Sequence, residues 1–206
     1  MKIYDVTMTI HKDMQVYKNL PEKRPVFRIA SDFETGSSHE TKIEMNLHTG
    51  THMDFPLHMI KDGKTSNQLN LKSLITMVKV FDLSHLEDAI HRDDLLDLDI
   101  QAHDFVLFKT RNSQEEIFNF EFIYIHESAA KYLAELNIKG VGVDGLGVER
   151  DQKDHPTHKI LFKHDIVIIE GLRLEAVEEG SYMMYALPIK MLHVDALPLS
   201  VILVEI

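Results

Sequence analysis

The chain has 206 residues, enough for one sizeable hydrophobic core, and sets 22 Lys and Arg against 33 Asp and Glu for a formal net charge of −11. Nucleic acids and anionic membrane surfaces need clustered cations, so both are excluded as partners. Cysteine is absent, which removes disulfides, thiolate zinc sites and a cysteine nucleophile and fits a reducing, cytoplasmic setting.

The opening MKIYDVTMTI alternates apolar and polar residues and reads as a strand over 2–10, not as a signal peptide. Short runs rich in β-branched and aromatic residues predict further strands at 25–31, 39–48, 76–82, 104–110, 140–144, 165–170, 181–188 and 200–206. A helix is expected over 91–99, with the acidic stretch 87–99 forming its solvated face and a connecting loop. HESAAKYLAELN (126–137) puts Ala130, Leu133 and Leu136 on one helical stripe, and HPTHKILFK (155–163) carries Pro156 in a first helical turn. No apolar run reaches the roughly 18 residues of a membrane span. With no repeat and no linker, the expectation is one α/β domain over 1–206, a mixed β-sheet with outer helices.

Thirteen histidines carry the most information. His11, His39, His85, His91, His103 and His193 have no companions and read as surface residues. HTGTHMDFPLH (48–58) is different, because His48, His52, Asp54 and His58 fall within eleven positions. Fully extended, this stretch would span roughly 33 Å, too far for one site. Gly50 and Pro56 oppose a helix. The consistent reading is a strand ending near His48, a tight turn through Thr49 and Gly50, and an extended piece with His52 and Asp54 on one side. Pro56 then turns His58 back. Imidazole and carboxylate are ligands for zinc, manganese or iron, with zinc the default, and His48, His52 and Asp54 make a three-ligand set.

Asp54 could bridge to a second ion with help from 155–172. There an apolar strand ends in Glu170, and burying such a carboxylate is costly unless it is paired or metal-bound. His158, one helical turn after His155, could face the same cleft; His155 and His164 read as structural. Thr49 and Thr51 read as packing the turn.

HTGTHMDFPLH resembles the HxGTHxDxPxH signature of the metal-dependent cyclase family, which includes bacterial arylformamidases (kynurenine formamidases) and isatin hydrolase. HKILFKHDIVIIEGL, the opening KIYDVTMTI and GVGVD (140–144) are similar to the family as well. The resemblance implies a swivelling β/β/α (cyclase-like) fold and two divalent metal ions per chain, commonly zinc with manganese possible. It also implies hydrolysis of a small-molecule amide, an aryl formamide such as N-formylkynurenine, by a homodimer or higher homo-oligomer; the alternatives are a hydrolase of a cyclic amide or lactone and a non-catalytic metal-binding protein. His48, His52 and Asp54 would bind the first metal. Asp54 would reach the second, joined by His158, while Glu170 contacts both. His58 would be the catalytic proton donor and acceptor, and Tyr17 would contact substrate. Two segments depart from the arylformamidase pattern. QVYKNLPEKRP replaces a tryptophan followed by a Pro-Gly-Asp turn, and GVDGLGVER replaces a Ser-Ile-Asp segment.

Overall fold

The computed structural model describes residues 1–206 and folds them into twelve strands and two α-helices. The strands are β1 (Ile3–Asp5), β2 (Val26–Ser31), β3 (Glu40–Glu44), β4 (His52–Asp54), β5 (Ile75–Asp82), β6 (Ala89–Ile90), β7 (Phe105–Lys109), β8 (Tyr124–Ile125), β9 (Gly140–Val143), β10 (Val167–Glu170), β11 (Gly180–Pro188) and β12 (Ala196–Val204). The helices are α1 (Glu127–Glu135) and α2 (Pro156–Lys163).

Eight strands form one mixed sheet in the order β1-β12-β11-β5-β7-β9-β10-β4. The run β5-β7-β9-β10 is parallel and the remaining pairings are antiparallel. β4 also pairs with β12, so the sheet closes into a barrel. Period-two alternation then sorts the side chains. Met53, Phe105, Leu107, Ile169, Met184 and Val201 belong to the core between the strands. Phe108, Val141 and Ile168 join Leu133 of α1 and Leu161 of α2 in a second core under the helices. Each such fully buried Leu, Ile or Phe contributes about 1.5–3 kcal/mol.

β2 and β3 pair only with each other, and all their residues except Ser31 are exposed. Their register sets Phe27 opposite Ile43 and Ile29 opposite Thr41, with Arg28 opposite Lys42 on the other face. The hairpin is thus amphipathic, and its apolar face is open.

The structure departs from expectation in four places. The first strand is confined to Ile3–Asp5; Val6 N–H still donates to Val201 of β12, and only at Thr7 does the chain change partner, bridging to Leu172. The expected helix over 91–99 is a single 3-10 turn, Asp93–Leu95. Asp94 accepts the His91 N–H at 2.7 Å, the competition with the backbone that makes aspartate a poor helix former. β3 stops at Glu44, and β12 starts four residues earlier than the pattern suggested because Ala196–Pro198 pair with β4. No helix is long and apolar enough to cross a membrane.

Asp144, just beyond β9, fastens the 110–114 turn. Its buried carboxylate accepts the Thr110 N–H (2.7 Å) and O–H (2.6 Å) and the Ser113 N–H (3.2 Å) and O–H (2.7 Å). Asp144→Ala leaves these buried donors without an acceptor, at about 1–3 kcal/mol each. Calorimetry is expected to show Tm falling by at least about 5 °C.

Candidate metal centre

β4 is only three residues long, but it lies between β10 and β12. Its register with β10 sets His52 opposite Glu170 and Asp54 opposite Ile168. His52, Asp54 and Glu170 therefore share one side of the ladder, while Met53 turns into the core. Two glycines allow this closeness. Gly50 and Gly171 have φ of 69° and 70°, and a Cβ at Gly171 would overlap the Gly50 carbonyl. Thr51 ties the two turns together, donating its O–H to the Gly171 carbonyl at 2.6 Å and accepting the Met8 N–H at 2.8 Å. Thr49 donates its O–H to the Lys23 carbonyl. Asn46 accepts the His48 N–H at 2.8 Å, and the 3-10 turn Pro56–His58 swings His58 back. α2 supplies His158.

The five residues expected to bind metal converge. His48 Nδ1 lies 2.9 Å and His52 Nε2 3.3 Å from Asp54 Oδ1, and His52 Nε2 lies 3.3 Å from Glu170 Oε2. On the other side, His158 Nε2 is 3.5 Å from Asp54 Oδ2 and 3.4 Å from Glu170 Oε1. Both carboxylates thus offer one oxygen to each of two groups of donors.

Each imidazole is also fixed from behind. The Gly50 carbonyl accepts from His52 Nδ1 at 2.9 Å, the Glu149 carboxylate accepts from His158 Nδ1, and Asp195 Oδ2 accepts from His48 Nε2 at 3.0 Å. A nitrogen that donates outward leaves its partner nitrogen with a lone pair facing inward, the tautomer a metal ligand needs. His52 Nε2, His158 Nε2 and both Asp54 oxygens are buried without a hydrogen-bond partner. Four orphaned polar atoms aimed at one space are costly unless something there satisfies them. Imidazole and carboxylate donors suit a divalent cation such as zinc or manganese.

The titrations follow from this crowding. Burial opposes a charge on His52, but Asp54 and Glu170 outweigh it and lift the imidazole to about 10. Burial and the Asp54 charge push Glu170 up, yet His158 and His52 bring it down to about 2. Asp54 is held well below the usual carboxylate range, against its burial, by His158, His48 and His52. His58 differs, since burial holds its imidazole below the ordinary value. Protons and metal ions compete for the same lone pairs, because ligation requires neutral imidazole.

The cluster opens into a cavity of about 190 Å³ whose walls include Tyr17, Lys23, His58 and Leu146. Tyr17 is edge-on to Phe118, with the Lys23 ammonium 5.0 Å from its ring centre. A larger cleft of about 600 Å³ shares only Asp54 with the cluster. His155 sits before α2 in a left-handed conformation, 3.8 Å from Glu149, and His164 is exposed. Glu149 and Asp195 were not singled out in the sequence. Glu149 is buried and also accepts the Thr157 N–H at 2.8 Å and the His158 N–H at 3.2 Å.

The Cyclase family model matches residues 4–150. The chain belongs to this family. The kynurenine formamidase of Bacillus cereus is 32% identical over 173 residues, covering 82% of each chain. Among solved structures, a predicted metal-dependent hydrolase from Bacillus stearothermophilus is 51% identical with a TM-score of 0.90, covering 98% of this chain and 97% of that one. Isatin hydrolase A from Labrenzia aggregata has a TM-score of 0.84 at 23% identity, covering 98% and 93%. It shares the fold of this Cyclase-family chain, the cyclase-like arrangement expected from the signature.

Glu149→Ala removes the acceptor that orients His158. Chelator competition is expected to show metal affinity 10–100-fold weaker, roughly the usual cost of losing such a partner.

Proposed function

We propose that this chain is a two-metal amide hydrolase acting on a small aryl formamide of the N-formylkynurenine type. The observation that carries the reading is the inward-facing donor set with an additional imidazole, His58, beside it at the cavity wall. His48, His52, Asp54 and Glu170 would hold one ion, and Asp54, His158 and Glu170 the other. Divalent cations in such a site supply Lewis acidity for the carbonyl and a nucleophile at neutral pH.

The remaining work falls to the chain's own side chains. His58, kept neutral by its burial, accepts a proton from the attacking water and returns it to the departing nitrogen. Tyr17 offers its ring to the aryl group at the cavity wall, where edge and offset contacts with aromatics are favourable. The likeness to the kynurenine formamidase of Bacillus cereus supports a formamide.

His58→Ala is expected to lower kcat by roughly 10²–10⁴-fold while elemental analysis still finds two metal ions per chain. Loss of metal would instead make His58 a ligand. Turnover of isatin without turnover of N-formylkynurenine would move the substrate to a cyclic amide.

The homodimer implied by the signature finds support in the β2–β3 hairpin. A lone two-stranded ribbon is marginal in water, and here Phe27, Ile29 and Ile43 are exposed along one face. Light scattering after gel filtration is expected to give a dimer or larger assembly for the wild type and a smaller species for Phe27→Asp.

A further inference from the structure

We infer that Asp195 is a positioning residue that aims His58, an inference that rests on the hydrolase reading above. Asp195 immediately precedes β12, and its carbonyl accepts the Phe55 N–H at 2.9 Å. The next residue, Ala196, pairs with Asp54. The barrel closure therefore delivers this carboxylate to the edge of the cluster on a paired segment.

One oxygen faces two rings. Asp195 Oδ2 is 3.0 Å from His48 Nε2 and 3.8 Å from His58 Nδ1. The His48 and His58 rings stack, with centroids 3.9 Å apart and planes inclined by 34°. Asp195 Oδ2 accepts from His48 Nε2 and lies beyond hydrogen-bond length of His58 Nδ1, so it fixes the first ring by a bond and acts on the second as a nearby negative charge. For His48 it leaves Nδ1 facing Asp54 at 2.9 Å. For His58 it favours the proton on Nδ1, so that Nε2 keeps the lone pair a base needs. A free neutral imidazole prefers the opposite tautomer, with its proton on Nε2. Asp195 is the one carboxylate within ion-pair range of the His58 ring. Glu149 orients His158 through a direct hydrogen bond, whereas Asp195 reaches His58 only as a nearby charge.

The test uses zinc-loaded, 15N-labelled protein and reads the His58 tautomer by long-range proton–nitrogen correlation, alongside steady-state kinetics. The wild type is expected to carry the proton on Nδ1, and Asp195→Ala to shift it to Nε2. In that variant, assayed with zinc kept saturating to offset the weaker hold on His48, kcat falls roughly 10–100-fold and KM stays within about two-fold. Asp195→Glu recovers part of the loss. An unchanged tautomer in Asp195→Ala overturns the inference, as does a kcat loss that tracks lost zinc, which would confine Asp195 to His48. If the wild type hydrolyses none of the substrates, the functional reading falls while the tautomer measurement still decides the role of Asp195.

Discussion

The site depends on a three-rung antiparallel ladder between β4 and β10. It brings Glu170 across from His52 and leaves Asp54 one step further along the same side. These acidic groups come from segments more than a hundred residues apart and sit in a buried space with the imidazoles of His52 and His158, with half-buried His48 at its edge. Only main chain without side chains can come that close, which is why Gly50 meets Gly171 where the two segments touch. Slipping β4 by one residue would turn His52 and Asp54 together toward the hydrophobic interior and swing Met53 toward Glu170.

The cost of assembling these charges explains the density of support around them. Isolated buried ions are expensive, and a cluster that loses one partner is penalised more than a cluster that never formed. Each imidazole has an acceptor behind it, and Val148 N–H donates to Glu170 Oε1 at 2.7 Å. The surrounding scaffold is held by similar means, with Asp144 collecting the donors of the 110–114 turn.

Much of this could be read in advance. His48, His52, Asp54 and His58 lie so near one another in the chain that local turn chemistry exposes them. Glu170 was visible as an acid closing an apolar strand. Glu149 and Asp195 were not visible, because an acid in ordinary loop sequence carries no mark of its partner; Asp195 meets a histidine 147 positions away. The barrel closure was hidden for a related reason. It runs through β4, whose three residues are too few to show a period and whose neighbours, β10 and β12, both lie more than a hundred residues further along the chain. The helix expected over 91–99 failed because a leucine pattern among aspartates gave the right spacing on a backbone those aspartates prefer to turn.

The pocket wall and the ligand cradle come from different kinds of backbone. Asp54 and Glu170 ride on paired strands, whereas Tyr17, Lys23 and Leu146 belong to connecting segments. Remodelling those connections need not disturb a single rung of the barrel. A protein built this way can exchange one compound for another by editing its loops, while the costly reactive apparatus is inherited intact.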